Sequence, residues 1–292
     1  MRCSPLSTER PKPTPAKAPL FRATAGTALG YLGWETLEAL RTLGGMTLLA
    51  GAAFRWLGQF ARGRAKLTRF RWAAIVAQMV RVGVDAVPII CLTIFFIGVI
   101  IVLQMAHVLD QFGVIRYVGS VLGVSVVREL GPLLAAMVMS GFAGAAIAAE
   151  IGTMNVSEEI MALRAAALDP VAFLVVPRLL ACMLMIPVLT VMADFVGILG
   201  GFTTAVGLLH IPANVYLEKT IEYLVNKDMV TGLIKAEAFA MLICLVACYQ
   251  GFRVTGGAQG VGRATTQSVV LSVVYIIAAD CFFTTLFYFF WP

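Results

Sequence analysis

The chain has 292 residues, of which 60% are hydrophobic and 13% charged, with a mean hydropathy of +0.90 and a net charge of +6. A soluble domain is about 45–50% apolar and about 25% charged. These values therefore exclude a soluble globular protein and leave an all-α integral membrane protein, long enough for several spans of about 20 residues each.

The positive charge is concentrated. Thirteen of the 22 Lys and Arg residues precede Val82, and only four acidic residues lie in 1–85. Such a block places the N-terminus on the cytoplasmic side, near anionic headgroups. It is no nucleic-acid arm, because the basic residues alternate with apolar ones and lead straight into a span. Of the cysteines Cys3, Cys91, Cys182, Cys244, Cys248 and Cys281, all but Cys3 sit in apolar sequence. Cys244 and Cys248 share a helix face, but no His or carboxylate completes a metal site, so they read as small buried apolar groups.

Residues 1–23 carry Pro5, Pro11, Pro13, Pro15 and Pro19 among Ser, Thr and Lys, which predicts a disordered tail. No apolar signal-peptide core follows its first basic residues. The basic, Ser/Thr-containing composition also fits a short organelle-targeting segment. Residues 24–85 alternate between amphipathic and apolar character, broken by Gly51, Arg55 and Gly58. They predict helices lying in the membrane interface, with Trp34 and Trp56 at headgroup level. A span over 43–60 is the alternative, but the run is short and contains Arg55.

Residues 86–292 predict a five-span domain, with spans near 86–107, 118–149, 178–206, 231–252 and 268–290. Span two is too long for one perpendicular crossing. Pro132 within it lacks an amide hydrogen and frees the carbonyl of Arg128, which predicts a kink. Ser140, Gly144, Ala148 and Gly152 repeat every four residues, as do Gly141, Ala145 and Ala149. That spacing allows close helix contacts, within one chain or between subunits. Between spans two and three the sequence turns polar, predicting a short helix over 155–167 capped by Ser157 and ended at Asp169-Pro170. Gly197, Gly200 and Gly201 mark another close contact in span three. The presumed outer loops hold only Arg116, Lys219 and Lys227, so loop charge places the C-terminus on the outer side.

No catalytic constellation emerges. The glycine-rich loop Gly256 to Arg263 lacks the Lys-Ser/Thr of a phosphate loop and its strand. If ATP drives this protein, another chain must hydrolyse it. His107 and His210 lie near membrane boundaries without catalytic partners. The informative residues are the intramembrane charges Arg128, Glu129, Asp194, Lys235, Glu237 and Asp280. Each costs about 2.5–3.5 kcal/mol at the bilayer centre, so each must pair, reach water or serve a purpose. Arg128 and Glu129 are adjacent, point in different directions and need separate partners. Together the six charges fit either an outward polar cavity or a set of structural ion pairs.

Several motifs in register carry a resemblance. RELGPLLAA at 128–136, GAAIAAEIGTM at 144–154, SEEIMALRAAALDP at 157–170, VVPRLLA at 175–181 and GRATTQSVV at 262–270 resemble the MlaE (YrbE-type) permeases. These are membrane subunits of MCE-linked phospholipid ABC transporters. The match runs in order from about Tyr31 to Phe290.

The resemblance implies a homodimer of five-span subunits with an N-terminal interfacial helix, without a cofactor or enzymatic activity of its own. It implies a separate cytoplasmic ABC ATPase, an MCE-domain partner on the periplasmic side, phospholipid as cargo and a bacterial inner-membrane location. Carried over by position, Gln104, Val108, Leu109, Phe112, Arg128 and Glu129 line or border the lipid cavity between subunits. Lys235 and Asp280 match charged positions of the family's membrane core, and with the intramembrane Asp194 and Glu237 they make up the expected membrane charge network. Glu150, Asn155, Glu158, Glu159, Arg164 and Asp169 belong to the element that couples to the ATPase. Phe142 stands where relatives commonly carry Arg, and Met161 where many carry Asp. Two rival readings compete with this one: an ion-gradient-driven secondary transporter of an apolar substrate, and a non-transporting membrane anchor of an MCE complex.

Overall fold

The computed structural model describes residues 25–61 and 69–290, and these residues form helices and turns with no strand among them. The expected disordered tail over 1–23 lies outside the described residues. Among the described residues, those up to Gly45 belong to one unit and those from Met46 onward to another. Helix α1 is continuous from Ala25 to Ala61. It passes through Gly51 and Gly58, where the sequence predicted breaks. A helical glycine costs only about 1 kcal/mol against alanine, too little to interrupt a long apolar helix.

In the second unit, α2 (Arg69–Val82) leads through a 3-10 turn into α3 (Val87–Gln111). The structure thus extends the first apolar run back to Trp72, well before the expected start of span one. Span two is a composite run from Ile115 to Val156: α4 (Val118–Ser125), α5 (Gly131–Met139) and α6 (Ala145–Val156), separated by wider π turns at Val126–Leu130 and Ser140–Gly144. The short α7 (Glu159–Ala165) follows. Then come a π turn at Val171–Val175, α8 (Val176–Gly207), α9 (Ala213–Tyr223), α10 (Asn226–Phe252) and α11 (Gly257–Phe290). Five of these runs are long and apolar enough to cross a membrane.

Local chemistry explains the interruptions. Two of the three π turns stand just before a proline, Pro132 and Pro177. Proline has no amide hydrogen, and its ring crowds the carbonyl four residues back. Widening the preceding turn relieves that crowding.

Close packing rests on small residues. A methyl group on Gly98 would strike the carbonyl oxygen of Gly197, and one on Gly200 would strike that of Phe95. The backbones of α3 and α8 therefore touch, a contact only glycine permits. Ser140, Gly144, Ala148 and Gly152 are all buried within this chain. Gly144 lies against Ile243 of α10, and Gly152 against Val254 just beyond it. The four-residue stripe is thus an intrachain seam. Gly141, from the second stripe, is exposed with open space around it.

Burial differs sharply between spans. In α8 and α10 about half of the most apolar window is buried (56% each), against 11% in α11. Ala264, Ser268, Ser272 and Ile276 form the one buried stripe of α11, four residues apart. Its opposite face, with Val270, Val274 and Ile277, is exposed.

Candidate functional site

Four of the six membrane charges, Arg128, Glu129, Lys235 and Asp280, gather around one pocket. Spacing along α10 explains half of it: Asp228, Thr231 and Lys235 fall at intervals of three and four and share a helix face. The π turn Val126–Leu130 supplies Arg128 and Glu129, and α11 supplies Asp280 and Thr284, again four apart. Lys235 is buried and donates to Glu129 Oε2 at 2.5 Å and to Thr284 Oγ1 at 2.7 Å. Its Nζ also lies 3.0 Å from Asp280 Oδ1. Thr284 in turn donates to Glu129 Oε1 at 3.0 Å. Each charged group in this cluster has an oppositely charged neighbour, as a low-dielectric setting favours, although Asp280 Oδ1 makes no hydrogen bond.

Arg128 takes a different partner. Its Nε lies 3.2 Å from Asp228 Oδ1, while Asp228 Oδ2 accepts from the Val225 amide at the start of α10. Neighbouring residues on span two therefore tie to two levels of α10. Between them lies a pocket of about 260 Å³, lined by Val124, Ser125, Arg128, Glu129, Thr231 and Lys235, and closed on the α11 side by Thr284, Phe287 and Tyr288.

The structure regroups the residues expected here. Of the six carried over as cavity residues, only Arg128 and Glu129 line this pocket. Gln104 and Val108 are exposed near the end of α3, Leu109 packs on the cluster around Val102 and Leu122, and Phe112 is exposed just past α3. Of the four in the expected charge network, Lys235 and Asp280 meet, with Glu129 as the third member. Asp194 stands apart on α8, buried against Gly131, and its Oδ1 has no hydrogen-bond partner. Glu237 is half-buried and belongs to none of the ion pairs among the described residues. Thr284 was missed. Its signal was the four-residue step from Asp280.

At the other end of span two the polar segment is shorter than expected. Helix α6 continues to Val156, and α7 covers only Glu159–Ala165. Ser157 does not cap α7. Its hydroxyl donates back to the Thr153 carbonyl at 3.0 Å, so it finishes α6 instead. Glu158 (φ 61°) and Ala167 (φ 57°) bracket α7 in the left-handed region, which non-glycine residues rarely adopt. Ile160 is the one buried residue of α7.

The six residues assigned to this segment divide evenly. Glu150 pairs with buried Arg178 at 2.9 Å and with Arg81 at 3.3 Å, clamping α6 to α8 and α2. Asn155 donates to the carbonyls of Val254 at 2.9 Å and Phe252 at 3.3 Å. Asp169 accepts from the Val171 amide and from Trp56 Nε1, both at 2.9 Å. These three are tethers. Glu158, Glu159 and Arg164 are exposed, and among the described residues the only side-chain bond they make is a local one, from Ser157 to Glu159. Met161 is exposed beside them, and Phe142 is exposed in the second π turn.

A polar pocket among apolar spans, joined through one long composite helix to an exposed polar segment, is an arrangement suited to a gated carrier. The sequence carries the same pattern as a known family: the one described as Permease MlaE matches residues 75–286. This chain belongs to the MlaE permease family. The family match takes in every pocket residue except Phe287 and Tyr288, together with the whole of α7.

Individual relatives agree. A probable ABC transporter permease protein of Rickettsia prowazekii (strain Madrid E) is 37% identical over 214 residues, covering 73% of this chain and 83% of that protein. Another of Synechocystis sp. is 38% identical over 209 residues, covering 72% and 80%. The intermembrane phospholipid transport system permease protein MlaE of Haemophilus influenzae is 29% identical over 261 residues, covering 88% and 96%. As a member of the MlaE family with five candidate spans, the chain is a multi-pass membrane permease subunit.

Proposed function

We propose that this permease subunit moves phospholipid between the inner and outer membranes of a bacterium, driven by a separate cytoplasmic ABC ATPase and continued by an MCE-domain partner on the periplasmic side. The subunit works as a homodimer and hydrolyses nothing itself. The N-terminus is cytoplasmic and the C-terminus periplasmic. The observation that carries this reading is the pairing of a membrane-embedded polar pocket with an exposed polar segment on one continuous run. Residues 129 and 157 are separated by roughly 40 Å of helix at 1.5 Å per residue, about the thickness of a bilayer with its headgroups.

In this reading the ATPase grips Glu158, Glu159 and Arg164. Left-handed Glu158 and Ala167 let α7 swing, while the tethers at Glu150, Asn155 and Asp169 pass the motion into α6, α8 and α10. At the far end Arg128 attracts the lipid phosphate. Gln104, Val108 and Phe112 border the same cavity where two subunits meet along it, and the exposed face of α11 supports such a pairing. Apolar span surfaces hold the acyl chains.

The test is purification of the full-length protein from membranes with whatever accompanies it, followed by lipid mass spectrometry and an ATPase assay. Phospholipid and a co-purifying ATPase are expected, with lipid occupancy falling in Arg128→Ala while the fold persists. Unchanged lipid occupancy in that variant, or uptake driven by a gradient without any ATPase, overturns the proposal.

A further inference from the structure

The pocket's charges do not balance. Arg128 and Asp228 neutralise each other across 3.2 Å. Lys235, however, is shared by Glu129 and Asp280, so two carboxylates answer one ammonium. The surplus negative charge surfaces on Glu129, whose side chain is 37% exposed against 2% for Lys235 and 17% for Asp280. Beside it, Arg128 is 41% exposed. Only its Nε engages Asp228, and its two terminal nitrogens take part in no other ion pair among the described residues. The pocket therefore presents a guanidinium and an unbalanced carboxylate on adjacent residues of one π turn.

We infer that the pocket selects a phospholipid whose headgroup carries an ammonium as well as a phosphate. The phosphate docks on Arg128, where a planar fork of donors matches its oxygens. The ammonium docks on Glu129 and neutralises the surplus. A headgroup whose only charge is its phosphate brings a second negative charge beside one already unanswered, which low local dielectric makes costly. Glu129 is thus the specificity-determining residue. This inference rests on the pocket being the lipid site proposed above.

The test places the full-length protein in nanodiscs of equimolar phosphatidylethanolamine and phosphatidylglycerol with matched acyl chains, and reads the retained lipid by native mass spectrometry. The wild type should retain the ethanolamine lipid with an enrichment on the order of five-fold, the ratio that one unit-charge contact is worth in a water-like medium. Glu129→Gln and Asp280→Asn each remove the surplus charge and should bring the ratio to near parity. If Glu129→Gln does not fold, Asp280→Asn reads the same quantity. Equal retention of both lipids by the wild type, enrichment of phosphatidylglycerol, or a ratio unmoved by both variants overturns the inference. Failure of the underlying lipid-site reading looks different: no retained lipid at all, or occupancy indifferent to Arg128→Ala.

Discussion

At the pocket end of span two, both charges are tied across the bundle: Glu129 to Lys235 and Thr284, Arg128 to Asp228. At the other end, Glu158, Glu159 and Arg164 project from α7 without a long-range partner among the described residues, while Glu150, Asn155 and Asp169 directly behind them are all tied down. The difference follows from the surroundings. Inside a span an unanswered charge is expensive, so the pocket charges have to be structural whatever else they do. Outside it water solvates charge at no cost, so bare residues on α7 are free to serve a partner. Removing the buried Lys235 should therefore damage the fold, whereas removing the half-exposed Arg128 or an α7 charge should damage only an interaction.

The largest effect is expected for Lys235→Ala, which leaves two carboxylates facing each other. Breaking a buried pair costs about 3–5 kcal/mol, seen as a strong loss of thermal stability in detergent. Adding Glu129→Gln and Asp280→Asn should restore part of it, and no recovery would mean that packing rather than charge holds these helices. Next is Glu150→Ala, which strands the buried Arg178 guanidinium, although that side chain keeps its bond to the Leu174 carbonyl at 2.7 Å. Because Glu150 is one-third exposed, a smaller loss of about 2 kcal/mol is expected. Asn155→Ala removes the donor to the Val254 and Phe252 carbonyls and should cost about 1 kcal/mol. Smallest is the triple change Glu158→Ala, Glu159→Ala, Arg164→Ala. Stability should stay within about 0.5 kcal/mol of wild type, while co-purification of the proposed ATPase is lost. A large melting shift in that variant would erase the contrast between the two ends.

Much of the chain was legible beforehand, for local reasons. Hydropathy separates five apolar runs because a span of about 20 residues must satisfy its backbone internally as helix. Pro132 announced the disturbance in span two, and Gly197 and Gly200 announced the seam that α3 fills. Adjacent Arg128 and Glu129 were bound to need separate partners, since neighbours on a helix face different ways. Other features were not legible. Ser157 looked like a helix cap because its residue type and position fit one, but its hydroxyl found the Thr153 carbonyl first.

Helix identity, the count of apolar runs, the proline-linked turns and the membership of the MlaE family belong to the sequence itself, because each depends on residues close together along the chain or on motifs in register. Which charges meet was decided only in three dimensions. Lys235 and Glu129 are 106 residues apart, and their encounter depends on how far each helix is rotated about its axis. That rotation is set by where small residues let α3, α6, α8 and α10 touch, a sum of weak contacts that no single stretch of sequence contains.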